Sequence, residues 1–271
     1  MTATAAPAVA TPADEAPADW PAGEIVRDIT RGGVAGLIVG VLLAGIGGRL
    51  VMRLAAIAVP TAAGSATENG NRIGDITIGG TLALVVVGGL LFGAVAGVLW
   101  VTARPWIPGP PIVRGLLAIP LALALGAFAL IRDENQDFVV LQHDPVVVGS
   151  LVVLVCLFAP MLALTEAWLD RRLPHRRAEA GNRAYLAVTI VGITLMTLFV
   201  LPMYLGSELV LAGLAFVVTG LATLAWWSLR AKGTAHPPVR LVLIGRAGLL
   251  AATVLGLVVA VPEIAGALRL R

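Results

Sequence analysis

The segment that decides the fold is "GGVAGLIVGVLLAGIGGRLVMRLAA", residues 32–56, an apolar run with two arginines near its end. About 20 helical residues cross the roughly 30 Å of a bilayer core, so a run of this length predicts a transmembrane helix. Arg49 and Arg53 are unfavourable there, because a guanidinium at the bilayer centre costs at least about 2.5 kcal/mol. The two arginines therefore indicate a polar site.

The composition extends the membrane prediction to the whole chain. Of 271 residues, 58% are hydrophobic and 13% are charged, whereas soluble domains have about 25% charged residues. Polar breaks divide the chain into seven apolar runs, near residues 33–59, 76–103, 112–131, 145–169, 184–206, 208–230 and 241–267. We predict an all-α, polytopic transmembrane helix bundle of seven spans.

The chain is expected to form one membrane domain after a short tail. Residues 1–22 are rich in Ala and Pro and carry no basic segment followed by an apolar stretch, so they do not have the pattern of a signal peptide. We predict a disordered cytoplasmic tail over 1–22 and a seven-helix transmembrane domain over 23–271.

Basic residues and tryptophans predict the orientation. With the N-terminus inside, 12 of the 19 Lys and Arg residues fall in cytoplasmic segments and four fall on the opposite side. Five tryptophans lie at the same predicted cytoplasmic ends: Trp100, Trp106, Trp168, Trp226 and Trp227. Cytoplasmic Lys/Arg and interfacial Trp are both typical of membrane proteins, so we predict N-inside and C-outside.

Small residues recur every four positions on the first two spans. They are Gly32, Gly36, Gly40, Ala44 and Gly48 on the first, and Gly89, Gly93 and Gly97 on the second. Such stripes let two backbones approach closely, which predicts a tight, glycine-striped hairpin of spans 1 and 2. The alternative is a homodimer through the Gly32, Gly36, Gly40 and Gly48 stripe.

Arg49 and Arg53 are predicted to lie towards the outer side. Arg49 follows Gly33 by 16 residues, or about 24 Å of helix. The candidate ligand-binding residues on that side are Arg49, Arg53, Glu68, Asn69, Asp75 and Glu263. They form either an outward-facing site for a small polar or anionic solute or a set of internal ion pairs that only stabilises the fold.

The same region carries a resemblance. The stretch from Gly47 through "TENG" (residues 67–70) to "IGDITIGGTL" (residues 73–82) resembles a pattern in uncharacterised multi-pass membrane proteins of high-GC bacteria. The resemblance covers about 40 residues and implies no known activity. It implies a bacterial cytoplasmic (inner) membrane protein in which Arg49, Arg53, Glu68, Asn69 and Asp75 act together.

A second polar site is predicted at the cytoplasmic ends. Glu166 and Arg246 both lie inside apolar runs near those ends, where each would neutralise the other's charge. We predict a structural ion pair between them.

Several chemistries are disfavoured by the residues present. The only lysine, Lys232, lies in a loop, which excludes a retinal Schiff base, and the three histidines are also in loops, which excludes paired haem ligands. Nucleic-acid binding is disfavoured because the basic residues occupy short loops between spans. No cofactor is predicted, and the lipid bilayer is the expected partner.

The loop after the third span contains one weak metal pattern. Asp133, Asn135, Asp137 and Asp144 stand at positions 1, 3, 5 and 12 of a calcium loop, but position 6 is Phe138 where a glycine is needed. We therefore predict a solvated acidic loop and no metal.

Three functions remain open at this level. The leading one is binding or permeation of a small polar or anionic solute at the Arg49 and Arg53 site, as in a transporter. The second is a non-catalytic structural or regulatory membrane protein with internal ion pairs. The third is a membrane enzyme acting on lipid or headgroup substrates, although the sequence favours no enzyme.

Overall fold

A computed structural model of the chain describes residues 21–67, 72–75, 77–131, 135–173, 187, 190, 194, 207–232 and 234–269. The predicted tail, 1–22, lies outside the described residues apart from Pro21 and Ala22, which begin the first helix. The predicted fifth span, 184–206, also lies outside them, apart from three single positions.

The described regular structure is helical, with one isolated antiparallel bridge between Ala66 and Arg72. The α-helices, numbered in chain order, are α1 (Pro21–Gly40), α2 (Gly48–Ala58), α3 (Ile78–Ala83), α4 (Phe92–Ala103), α5 (Pro111–Leu117), α6 (Ile119–Leu130), α7 (Gln136–Val140), α8 (Pro145–Arg172), α9 (Val210–Ala231) and α10 (Val239–Ala267). Short π-helical stretches, Val41–Gly47 and Leu84–Leu91, join α1 to α2 and α3 to α4.

Five continuous helical segments in the described part of the chain are long and apolar enough to cross a membrane. They are Ile25–Ala58, Ile78–Trp106, Pro145–Arg172, Val210–Arg230 and Val239–Ala267. The prediction of an all-helical, multi-pass architecture is confirmed at this level.

The third predicted span, 112–131, is not one of these five because it is interrupted. The helix ends at Leu117 and restarts at Ile119, so that α5 and α6 are both short. Pro120 explains the break, because proline lacks a backbone N–H and its ring clashes with the carbonyl of the preceding turn. In the second position of α6 this missing donor costs nothing.

The first apolar segment begins earlier than the predicted boundary at residue 33. The structure starts it at Ile25 and ends it at Ala58. The added turns carry Arg27, Asp28 and Arg31, whose charges place them outside a span when polarity alone is considered. All three are buried in the structure.

The first two long helices approach each other through glycines. A methyl group added to Gly36 would overlap the backbone carbonyl oxygen of Gly93, and one added to Gly40 would overlap that of Gly89. Both helices change to π winding next to this crossing. The backbones are therefore in direct contact, which no residue with a side chain would allow.

The main core draws on α1, α4, α6, α8, α9 and α10, and it includes Trp106. This indole is 1% exposed, packs against Gly245 and donates to the Thr223 hydroxyl at 2.8 Å. It fixes the end of α4 against α9 and α10, and so positions the polar residues that follow.

Candidate functional site

Charged side chains from three parts of the chain meet beside the first turns of α1. We call this group the Glu166 cluster; its members are Arg27, Asp28, Arg31, Arg104, Glu166 and Asp170. Arg27, Asp28 and Arg31 come from α1, Arg104 follows the end of α4, and the two remaining carboxylates lie near the end of α8.

Glu166 is the centre of this cluster and is 4% exposed. Its Oε1 accepts from Nε of Arg31 at 3.1 Å, from Nη2 of Arg31 at 2.9 Å, and from Nη1 of Arg104. Its Oε2 accepts from the indole Nε1 of Trp100 at 2.7 Å. Oε1 therefore accepts three hydrogen bonds and Oε2 accepts one, so that both oxygens of the carboxylate are bonded.

The arginines of the cluster connect the helices to one another. Arg31 also pairs with Asp28 at 3.1 Å and with Asp170, while Arg104 pairs with Asp28 at 3.0 Å. Arg27 bonds the Asp170 carboxylate at 3.0 Å and donates to the carbonyl of Leu173 at 2.9 Å, beyond the end of α8. One cluster therefore joins α1, α4 and α8 and satisfies carbonyls at a helix end.

The spacing along each helix explains why these groups meet. Arg27 and Arg31 are four residues apart, as are Glu166 and Asp170, and residues four apart share one face of an α-helix. Two charged pairs at the ends of two apolar runs are therefore a signal that could have found the cluster. Which helices lie side by side is decided by packing, and the sequence pattern does not contain it.

The structure does not bring together the predicted pair of Glu166 and Arg246. Nε of Arg246 donates instead to the backbone carbonyl of Trp106 at 3.2 Å, whereas Glu166 is bound by Arg31 and Arg104. Arg246 thus bonds the chain just after α4, and each member of the predicted pair has a different partner.

Arg49 and Arg53 contact the loop that follows α2. Nη1 of Arg53 donates to the carbonyl of Gly74 at 3.0 Å, and Nη1 of Arg49 reaches the carbonyl of Asp75 at 3.4 Å. We call this the arginine–loop contact. Ile73 anchors the same loop, because it is 1% exposed and packs with apolar residues of α2.

Gly74 is required at this contact for two reasons. Its φ is +85°, a left-handed conformation that side chains disfavour. A Cβ there would also lie 2.6 Å from the Cβ of Ala56. The "IGD" of residues 73–75 therefore forms a tight turn whose carbonyls face the arginines.

The remaining predicted ligand-binding residues are only partly brought to this place. Glu68 and Asn69 lie outside the described residues. The side chain of Asp75 is exposed, and its backbone carbonyl is the group that meets Arg49. Glu263 lies in the last turns of α10.

In the acidic loop before α8, Asn135 and Asp144 cap the helices that follow them. Asn135 accepts from the backbone N–H of Asp137 at 2.8 Å, and Asp144 accepts from Val146 at 2.9 Å. Such bonds satisfy the free N–H groups at the start of α7 and α8. Asp133 lies outside the described residues, and among the described ones no group of three His, Cys, Asp or Glu is placed to hold a metal.

A half-open cleft of about 100 Å³ lies beside the Glu166 cluster. Its walls come from α1, α4, α5 and α8 and the turn after α4; its polar lining residues are Arg31, Trp100, Arg104, Arg114, Glu166 and Asp170. It is a polar cavity next to helices with apolar surfaces.

Five apolar helices and buried charges paired inside the bundle define a multi-pass integral membrane protein. No protein-family model, curated protein or solved structure matches the chain.

Proposed function

We propose that the chain is a non-catalytic structural or regulatory protein of a bacterial cytoplasmic membrane, in which arginines within the apolar helices complete internal contacts. The observation that carries the proposal is Glu166, whose two oxygens are occupied by Arg31, Arg104 and Trp100. A buried carboxylate bonded by two guanidinium groups and an indole neutralises charges that come from other helices. It holds helices together.

The spacing of the two polar sites supports a membrane-spanning role for the first helix. Arg31 and Arg53 are separated by 22 residues, which corresponds to roughly 30 Å of helix. This matches the thickness of a bilayer core, so each site would lie near one membrane interface. We propose seven spans in an N-inside, C-outside arrangement, with the glycine-striped hairpin crossing the membrane.

Cysteine accessibility tests this arrangement. In a Cys156→Ala background, single cysteines at Ser65 and Ser207 should react with an impermeant maleimide added to intact cells. A cysteine at Ala178 should react only after the cells are opened. If the cysteine at position 178 is labelled in intact cells as fast as the cysteine at position 65, the proposed orientation is wrong.

A second candidate function, binding of a small anion at Arg49, is favoured by one observation. Nε of Arg49 is buried without a partner, and its one hydrogen bond to the described residues is long, at 3.4 Å. A planar anion accepting from two guanidinium N–H groups would satisfy this arginine better than the loop does.

Lysine substitutions separate the two candidates. Lysine keeps the charge and one donor but loses the bidentate fork. If the contact is structural, Arg49→Lys and Arg53→Lys should have melting temperatures close to that of the wild type. Added bicarbonate, acetate, sulfate or phosphate should then change the melting temperatures of the wild type and both variants equally. If Arg49 binds an anion, one of these salts should stabilise the wild type and not Arg49→Lys. The structural proposal fails for this site in that case.

A further inference from the structure

The cleft beside the Glu166 cluster contains an arginine that the cluster does not use. Arg114 lies on α5 and lines the cleft together with Glu166 and Asp170 of α8. Its guanidinium forms no hydrogen bond or ion pair with any residue that the structure describes, and its Nε is buried. A buried charged donor without an acceptor is unfavourable, so the cleft favours a ligand that supplies one.

The charges around the cleft identify the sign of that ligand. Its charged lining residues are three arginines, Arg31, Arg104 and Arg114, and two carboxylates, Glu166 and Asp170. The formal charge of the lining side chains is therefore +1, and an anion reduces it. The cavity has room for a few water molecules or one small oxyanion group.

The residues around the cleft indicate that the anion is carried by a lipid. Val113 and Leu117 on α5, and Leu164 and Trp168 on α8, are exposed apolar neighbours of its lining residues. In a membrane these side chains face acyl chains. Trp168 also stacks with the guanidinium of Arg172, 5.5 Å from the ring centre, an arrangement suited to the headgroup level.

We propose that this cleft binds a phosphate group, with Arg114 donating to its oxygens and Arg31 and Arg104 adding positive potential. Basic pockets between transmembrane helices are typical sites for phosphate-bearing lipid headgroups. The headgroup of an anionic phospholipid and a free phosphate offer the same chemistry. The site goes beyond the proposed structural function, which uses the Glu166 cluster alone.

The test measures melting of the full-length protein in detergent with added phosphatidylglycerol, phosphatidylcholine or inorganic phosphate. The variants are Arg114→Gln and a matched control, Arg240→Gln, which removes an exposed arginine from the start of α10. Phosphatidylglycerol should raise the melting temperature of the wild type and the control above the value in phosphatidylcholine. Arg114→Gln should bind it about tenfold more weakly, as expected for the loss of a charged hydrogen bond.

The arms of the experiment distinguish the two sources of phosphate. A shift with phosphatidylglycerol but not with inorganic phosphate assigns a lipid headgroup, and a shift with both assigns the phosphate group alone. Equal melting in phosphatidylglycerol and phosphatidylcholine, without an effect of phosphate, overturns the proposal. An equal response of Arg114→Gln and Arg240→Gln overturns it too.

A direct measurement covers the case in which Arg114→Gln does not fold. In native mass spectrometry, the wild type should keep one phosphatidylglycerol molecule bound, and it should keep phosphatidylcholine less well. Arg114→Lys, which keeps the charge without the fork, should retain phosphatidylglycerol more weakly. Equal retention of both lipids by the wild type would contradict the site.

Discussion

The Glu166 cluster and the arginine–loop contact lie towards opposite ends of the same first helix, and each uses arginine differently. In the cluster, Arg31 is 6% exposed and meets three carboxylates. At the other site Arg53 is exposed and donates to one backbone carbonyl. The same residue type in the same apolar run thus has two environments.

The difference shows that burial of an arginine depends on the charge of its acceptor. A carboxylate neutralises the guanidinium, so that both groups tolerate burial, whereas a carbonyl satisfies a donor but leaves the charge. Arg31 can therefore lie inside the bundle, while Arg53 keeps access to its surface. Removing a partner should consequently be far more harmful at the cluster than at the loop.

The largest expected effect is the loss of the central carboxylate. Glu166→Gln should lower the free energy of unfolding in detergent by about 3–5 kcal/mol, because Arg31 and Arg104 keep their buried charges without it. Glu208→Gln is the matched control, because Glu208 is exposed just before α9. Equal stability of the two variants would contradict the assignment of Glu166 as the centre.

A smaller loss of stability is expected at the glycine contact, which lies between the Glu166 cluster and the arginine–loop contact. Gly36→Ala forces a methyl group onto the Gly93 carbonyl and should cost about 1–3 kcal/mol, measured by thermal unfolding. Gly33→Ala introduces the same methyl group where no atom lies within 4 Å, and should change stability by less than about 0.5 kcal/mol. If both variants are equally stable, the helices do not cross at Gly36.

The loop turn should be more tolerant still. Gly64 and Gly74 both have a positive φ, but only a Cβ on Gly74 meets another atom, Cβ of Ala56. Gly64→Ala should cost about 1 kcal/mol from the backbone conformation alone. Gly74→Ala should cost more, and it should release the loop so that a cysteine at Ser65 is labelled faster. Indistinguishable variants would argue against docking of this turn on α2.

The smallest effect is the coupling free energy expected between Arg246 and Glu166. Their different partners predict that the losses in Arg246→Ala and Glu166→Ala add to within about 0.5 kcal/mol in the double variant. A clearly non-additive result, measured by the same unfolding experiment, would restore the direct pair that the sequence suggests.

Much of the architecture could be predicted because apolar length is a local property. The segments near 145–169 and 241–267 are helices in the structure with nearly the predicted bounds. The break before α6 could have been predicted from Pro120. The early start of α1 could not, because Arg27 and Arg31 are polar in sequence and both are bonded by Asp170 on another helix.

The candidate sites were predicted less completely for a related reason. Arg49 and Asp75 were grouped from their side chains, yet the acceptor is a backbone carbonyl, which every residue carries and no pattern reveals. Glu166 was predicted to pair with Arg246, whereas in the structure it bonds Arg31; the partner depends on which helix packs against α8. Long-range packing decides partners between helices.

The most direct test of the account is a double-mutant cycle between Arg31 and Glu166. The central claim is that these buried groups bond each other, so that each single change removes one charged partner of the other group. We expect the stability losses of Arg31→Ala and Glu166→Ala in detergent, added together, to exceed the loss in the double variant. The difference, which is the coupling free energy, should be at least about 1 kcal/mol. Strictly additive losses would contradict a direct buried pair and, with it, the proposed structural role of the cluster.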